Sequence, residues 1–345
     1  MAHTVPLLQL YRELLTDDPK KPVPLYVVPL IRYSHKRSDY LYLLYQEIIE
    51  NHSDTFTVES VSVWQHWKFV WQAQFRNDVV LHYHWLECTD MKSLFGMGFK
   101  LFCIIMFKLL GCSIVWTLHN KMPHDRKYEK LNFIIRSKMA RRADLIHIHC
   151  KSAIPEMSRF YSVPESKFRV IPHPEFPSTS IRRDRSIQKI NKAGSLSLRT
   201  EDTIFLMFGN ISAYKQIDKV CELFKQLPDR KKLLVVGPVK KGQISVYQKI
   251  LSIEKQTDNI FVVPHFIPEA MVPFYLNAAD CLLFNYRDIL TSGGVELAKS
   301  YNRPIIAPSK GCLTEMKGKS ITLFSTQSEL ASLLSDFERP GVPDA

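Results

Sequence analysis

The sequence predicts an α/β protein of two doubly wound domains, and three observations predict it. Short apolar runs of strand length alternate with helix-length segments along the chain, the pattern of parallel sheets with crossover helices. The alternation breaks once, after Pro172, where prolines are followed by a Ser-, Lys- and Arg-rich stretch. At 345 residues the chain is too long for one ordinary domain and suits two of roughly 150–170 residues each. The expected partition is a first domain over 1–176, a linker over 177–200 with disorder near Ile187–Leu198, and a second domain over 201–345.

In the first half, strands are expected at Leu25–Pro29, Phe56–Val63, Val79–Tyr83, Ser113–Leu118, Leu145–His149 and Arg169–Ile171. Tyr40–Glu50 carries apolar residues at 41, 44, 45, 48 and 49, a 3.6-residue period that predicts a helix. Lys100–Leu110 is apolar nearly all round, which fits either a buried crossover helix or a membrane-facing one. In the second half, strands are expected at Thr203–Phe208, Lys232–Val236, Ile260–Val263, Cys281–Phe284, Ile305–Ala307 and Ile321–Phe324. Helices are expected at about 216–227, 243–256, 269–278, 293–301 and 327–336. Two such domains joined by one linker would leave a cleft, with ligands at the carboxyl ends of the strands.

Composition narrows the function. Hydrophobic content of 46% and charged content of 23% are those of a globular soluble chain. No apolar run has the length to span a bilayer, and Met1–Leu10 lacks the features of a signal peptide, so a cytoplasmic protein is expected. Seven cysteines are scattered without a CxxC pair, which supports neither a disulfide framework nor a zinc site. The net charge of +12 favours anionic partners. With no zinc finger, RNP-like strand or arginine-rich arm, nucleic acid is disfavoured against phosphorylated substrates or an anionic membrane surface.

Two turns in the second half carry chemistry. Asp288–Ile289–Leu290–Thr291–Ser292–Gly293–Gly294–Val295–Glu296 links an expected strand to an expected helix. Two glycines there admit a ligand close to backbone, and the free amides of a first helical turn suit a phosphate. Glu296, about one turn in, can accept hydrogen bonds from a ribose diol; the alternative is stabilisation of the helix dipole. The second turn is Gly209–Asn210–Ile211–Ser212–Ala213–Tyr214–Lys215, where Lys215 can reach phosphate oxygens. In the first half, Trp116–Thr117–Leu118–His119–Asn120 ends a strand in a polar loop continuing to His124 and Asp125. His119, at the strand tip, is suited to take a proton from a hydroxyl. His82 and His84, and likewise His147 and His149, sit two apart on strands; one of the first pair is expected to point inward, and without a third ligand a metal is disfavoured. No DxD-like acidic pair stands at a strand end, which fits a metal-independent reaction, and no cofactor is implied beyond the donor itself.

Together these segments resemble the GT-B superfamily of nucleotide-sugar glycosyltransferases, in particular bacterial enzymes of capsular and exopolysaccharide assembly (glycosyltransferase family 4-like, group 1), over nearly the whole chain. The resemblance implies two Rossmann-like domains facing each other across a cleft, and a hexosyltransferase-type enzyme. It implies transfer from a nucleotide-diphosphate sugar to a saccharide acceptor, which could be lipid-linked, at the inner face of the plasma membrane. The acid, seven residues, glutamate pattern of retaining members is matched by Asp288 and Glu296, with Asp in place of the first Glu. By the resemblance Glu296 holds the donor ribose, and Asp288 with the following backbone amides of Thr291–Gly294 lies near the donor sugar. Lys215 matches the pyrophosphate lysine; Gly209 and Asn210 belong to the same donor turn, with Asn210 where many relatives have arginine. His119 matches the acceptor-side histidine, and Pro29–Ser34 lacks a glycine-rich acceptor loop. A sugar-nucleotide epimerase of the same fold and a non-catalytic nucleotide-sugar-binding protein stay open as alternatives.

Overall fold

A computed structural model of the chain describes residues 6–15, 21–88, 90–123, 127–316 and 320–339. The chain divides into two compact units, Met1–Pro174 and Glu175–Ala345. In the first unit the order is α1 (Pro6–Arg12), β1 (Val23–Val28), α2 (Tyr40–Asn51), β2 (Phe56–Ser60), α3 (Trp67–Ala73), β3 (Val80–Tyr83), α4 (Met91–Leu109), β4 (Ser113–Thr117), α5 (Glu129–Arg142), β5 (Leu145–Ile148), α6 (Ile154–Tyr161) and β6 (Phe168–Val170). The second unit follows with α7 (Arg183–Gly194), β7 (Thr203–Phe208), α8 (Ile217–Phe224), β8 (Lys231–Val236), α9 (Ile244–Glu254), β9 (Ile260–Val263), α10 (Val272–Ala278), β10 (Cys281–Leu283), α11 (Gly293–Ser300), β11 (Ile305–Pro308), β12 (Ile321–Phe324) and α12 (Gln327–Asp336). Every strand expected from the sequence forms, with ends shifted by three residues or fewer.

Each unit holds one six-stranded sheet, and all its strand pairs are parallel. The first sheet runs β2-β1-β3-β4-β5-β6, the second β12-β11-β10-β7-β8-β9. Numbered from its own first strand, the second sheet is the doubly wound 3-2-1-4-5-6 order read from its other edge, whose direction reverses between β7 and β10. Strands buried on both faces read as continuous apolar runs, and β7 shows why. Ile204 and Leu206 pack with α7, α10 and α11, whereas Phe205 and Met207 pack with α8, α9 and α12. In the first unit Leu25, Val80, Val115 and Leu145 face α1 and α2. The opposite face carries α3, α4 and α5: Phe69 of α3 meets Tyr26 and Phe107, and Arg136 of α5 lies over Trp116. Cys88, Cys103, Cys112, Cys221 and Cys281 are free thiols in these cores.

The stretch expected to be a linker is a packed part of the second unit. Residues 183–194 form α7, and Ile187, Ile190 and Leu198 are buried in the core. Only two isoleucines three apart mark the buried face of α7, so its polar remainder masks the period. Its docking is fixed by a buried ion pair, since Arg183 Nη2 donates to Asp280 Oδ2 at 2.7 Å and the same oxygen accepts from Ile204 N at 2.8 Å. The Lys100–Leu110 segment is the C-terminal part of α4. It is neither wholly buried nor wholly exposed: Cys103, Ile104 and Phe107 are buried, while Phe102 and Leu109 are exposed.

Candidate functional site

The second unit brings its two sequence-predicted turns to one place. The Gly209–Lys215 turn leaves the carboxyl end of β7, and the Asn285–Ser292 loop leaves that of β10, the neighbouring strand. The crossovers from these two strands go to opposite faces, so the loops part and leave a crevice at the switch point. The loops are stitched together beyond the strands. Arg287 N donates to Tyr214 O at 2.8 Å, and the rings of Tyr214 and Tyr286 stack at 5.7 Å with 7° between planes. Asn285 Nδ2 donates to Gln216 O at 3.4 Å, and Lys310 Nζ donates to Arg287 O at 2.7 Å. Of these bracing residues only Tyr214 belongs to one of the two glycine turns, and no sequence pattern marks the pairing.

Lys215 is buried at 7% exposure, an uncommon place for an amine. Its Nζ donates to Phe208 O at 2.9 Å, and burial lowers its pKa to about 7. No carboxylate causes or offsets that shift. Gly209 makes room for it: the backbone there has φ +94°, and a Cβ would stand 3.0 Å from the lysine Nζ. Ser212, in the same turn, is buried with its Oγ unpartnered among the described residues. A buried hydroxyl without a partner is costly, and nothing but its place in the turn marks it in the sequence. Asn210 is exposed.

The second turn is built as a helix start. Ser292 caps α11, its Oγ accepting from Val295 N at 3.2 Å and meeting Tyr286 Oη at 2.8 Å. Gly293 and Gly294 then hold the first two helical positions, whose amides have no acceptor within the helix. A Cβ at Gly294 would stand 3.2 Å from Phe284 Cε1, so the turn lies flat on an aromatic wall. Thr291 is partly buried, and Asp288 is exposed on the loop between the Tyr286–Tyr214 stack and the helix. Glu296 lies in the first turn of α11 and pairs with Lys299 at 2.8 Å. The arrangement offers backbone amides, a desolvated amine and a carboxylate along one sheet edge, which suits a diphosphate joined to a diol-bearing sugar.

The first unit holds a different cluster. Three adjacent strands end in a polar residue, an apolar or aromatic one and a histidine: His82–Tyr83–His84 on β3, Thr117–Leu118–His119 on β4 and His147–Ile148–His149 on β5. Residues two apart share a face, so both histidines of each pair point the same way. Hence His82 and His84 are both buried, where one alone was expected to point inward, and their rings stack at 4.4 Å. The inner row is one hydrogen-bonded line. His147 Nε2 faces Ile171 O at 3.1 Å and its Nδ1 faces Thr117 Oγ1 at 2.9 Å; Thr117 Oγ1 also faces His82 Nε2 at 2.7 Å, and His82 Nδ1 faces Tyr45 Oη at 2.6 Å. A carbonyl only accepts, so His147 Nε2 donates to it, His147 Nδ1 accepts from Thr117, and Thr117 accepts from His82. His149 Nδ1 likewise donates to Ile171 O at 2.9 Å and leaves Nε2 to accept from Tyr40 Oη at 3.1 Å. Every ring in this network is neutral, as burial demands. Desolvation lowers His82 and His147 to about 3, and takes His84, His119 and His149 well below the ordinary imidazole value.

His119 sits in the outer row. Its ring stacks on Trp85 at 4.4 Å, and its Nε2 meets His84 Nδ1 at 3.2 Å. Tyr40 contacts it edge-on at 5.0 Å and also touches His173 at 4.9 Å. His124 and Asp125, further along that loop, lie outside the described residues. Among the described residues no group of three or more His, Cys, Asp or Glu is placed to hold a metal ion.

No family model and no curated protein matches the sequence. Solved structures do. Anabaena HepE, in its complex with UDP and glucose, superposes with a TM-score of 0.66 at 14% identity, covering 91% of this chain and 89% of that one. A glycosyltransferase from Rickettsia africae gives 0.56 at 12%, covering 92% and 89%. The sucrose-phosphate synthase of Thermosynechococcus elongatus gives 0.57 at 16%, covering 82% and 72%. The fold is GT-B. At these identities the likeness is one of architecture, and the GT-B fold places the β7/β10 crevice in its second Rossmann-like unit and the histidine ladder in its first.

Proposed function

We propose that the chain is a glycosyltransferase that uses a nucleotide-diphosphate sugar as donor and a saccharide as acceptor. The observation that carries the reading is the meeting of the Lys215 turn and the Gly293–Glu296 helix start at the topological switch point of a GT-B fold. Structures of the same fold are described with UDP and with UDP-glucose bound, which supports the donor class. In this reading the Gly293 and Gly294 amides and the Lys215 ammonium hold the diphosphate, and Glu296 exchanges Lys299 for the ribose hydroxyls. As the glycosidic bond breaks, negative charge grows on the departing diphosphate, and preorganised donors in a dry crevice stabilise it. Those groups serve without a metal, and the transferred group is proposed to be a hexose.

His119 is proposed to orient the acceptor hydroxyl. A neutral imidazole with a strongly depressed pKa is a poor proton acceptor, so its role is hydrogen bonding and placement, with a donor phosphate oxygen taking the proton in a retaining reaction. The acceptor is proposed to be a saccharide carried on a lipid, as in capsular or exopolysaccharide assembly, met at an anionic membrane surface. Incubation with a panel of nucleotide sugars and saccharide acceptors, with products resolved by mass spectrometry, tests the reading. A new glycosidic linkage formed in the presence of EDTA is expected. An isomerised donor without transfer, or donor returned unchanged with every acceptor, would replace it with an epimerase or a binding protein.

A further inference from the structure

One face of the first unit carries far more exposed apolar surface than its neighbours. On α3 and the turns on either side of it, Trp64, Trp67, Trp71 and Phe75 are spaced three, four and four apart, with Trp67 and Trp71 on one stripe of the helix, and all are exposed, Trp64 at 74%. On the adjoining α4, Phe95, Phe102 and Leu109 form a second stripe seven apart, with Phe95 at 82% and Leu109 at 74%. The two helices pack on each other through Phe69 and Phe107, and Trp64 meets Phe99 at 6.1 Å. The stripes therefore lie side by side. A contiguous apolar band of this kind on a soluble chain marks a surface that something covers.

Charge decides what. Residues 61–77 and 91–112 contain no Asp or Glu, but Lys68, Arg76, Lys92, Lys100 and Lys108. Three of these are paired, Lys68 with Glu59, Arg76 with Asp78 and Lys108 with Asp144. Helix α5, on the same face of the sheet, adds exposed Lys130, Lys138 and Arg141, and Lys127 precedes it. Lys92, Lys127, Lys130, Lys138 and Arg141 have no carboxylate partner among the described residues. A second copy of the chain would set this cationic rim against its own kind. A bilayer with anionic headgroups offers both complements, an acyl boundary for the aromatic stripes and negative charge for the rim. No helix among the described residues is long and apolar enough to cross a membrane, so the geometry is that of a protein lying on the surface.

We propose that the α3–α4 face docks on the surface of an anionic lipid bilayer, with Trp67, Trp71, Phe95 and Phe102 entering the headgroup–acyl boundary. The use of this docking rests on the transferase reading with a lipid-carried acceptor; its test does not. Two observations on the full-length chain decide it. The first is co-sedimentation with vesicles of phosphatidylcholine alone and of phosphatidylcholine with phosphatidylglycerol, at low and high salt. The second is quenching of tryptophan fluorescence by lipids brominated on the acyl chain. The unmodified chain is expected to bind the anionic vesicles at least tenfold more tightly than the neutral ones and to be quenched there. The double variant Trp71→Ser/Phe95→Ser is expected to lose binding at least tenfold, and the triple variant Lys130→Glu/Lys138→Glu/Arg141→Glu to lose the preference for anionic lipid. Nucleoside-diphosphate binding should be unchanged in both variants, which keeps the donor-site reading separate. Equal recovery with neutral and anionic vesicles would overturn the proposal. So would anionic binding without acyl-chain quenching. A concentration-dependent dimer dissolved by Trp71→Ser/Phe95→Ser, with no vesicle binding by the unmodified chain, would assign the face to a second copy instead.

Discussion

Replacing Lys215 with methionine is expected to weaken nucleoside-diphosphate binding by about 10- to 100-fold at pH 6.5, the worth of a charge-assisted hydrogen bond in a dry site. Methionine keeps most of the buried stem, so the loss would report the ammonium and not the packing. The pH dependence makes the prediction sharper. Burial has lowered the Lys215 pKa to about 7, and a phosphate favours the charged form. Free protein is therefore half neutral near pH 7 and mostly neutral above it, and binding must take up a proton there. Affinity should fall as pH rises through 7, approaching about tenfold per pH unit well above the free pKa. Titration calorimetry from pH 6.5 to 8.5 in two buffers of different ionisation heat reads both the affinity and the proton uptake. Lys215→Met should show a weak affinity with none of this slope. A variant that binds as tightly as the unmodified chain would remove Lys215 from the donor site.

Mild acid is expected to unfold the first unit. His82 and His147 have folded-state pKa values lowered to about 3 by desolvation, against about 6.5 in an unfolded chain. Between those values the unfolded state binds more protons, so stability is full above about pH 6.5 and is lost as pH falls towards 3. Each such histidine costs about 1.4 kcal/mol per pH unit in that window. At pH 5 the two together have removed roughly 4 kcal/mol, a large part of a typical domain's 5–15 kcal/mol. His84, His119 and His149 are shifted in the same direction by burial first and then by neighbouring histidines of the cluster, and burial lowers His66 to about 4. Protonation also breaks the ladder itself, because a charged His147 would need an acceptor where Thr117 already donates. Urea titrations at pH 7.5, 6.0 and 5.0, followed by tryptophan fluorescence, should show the midpoint falling steeply below pH 6.5. Trp64, Trp67, Trp71, Trp85 and Trp116 all lie in the first unit, so the signal reports it. A midpoint constant from pH 7.5 to 5.0 would contradict the buried neutral ladder.

The strands and most helices of the second unit were legible because their apolar runs have the right lengths and are punctuated by glycine and proline. The glycine turns were legible for the same reason, since residue 209 directly follows a strand-like run and residues 293–294 open a helix-like one. Helix α7 was not, because its docking depends on the Arg183–Asp280 pair, whose partners stand 97 positions apart. The bracing of the site by Tyr214, Tyr286 and Lys310 is hidden for the same reason, as ring stacking and carbonyl contacts depend on register and not on local pattern. The histidine ladder was half legible. The His-x-His spacing is visible on β3 and β5, but its alignment with Thr117-x-His119 on β4 follows only from the strand order. The apolar character of α4 was plain in the sequence, whereas the split into a buried and an exposed face needed the packing against α3.

In the proposed reaction a diphosphate is held where β7 and β10 part. The most direct measurement is a crystal structure of the protein with a nucleoside diphosphate, UDP first and then GDP and ADP. The diphosphate oxygens are predicted within hydrogen-bond distance of the Gly293 and Gly294 amides and of Lys215 Nζ, with the ribose on Glu296 and the Glu296–Lys299 pair opened. A nucleotide bound elsewhere, with Glu296 still paired to Lys299, would contradict the account.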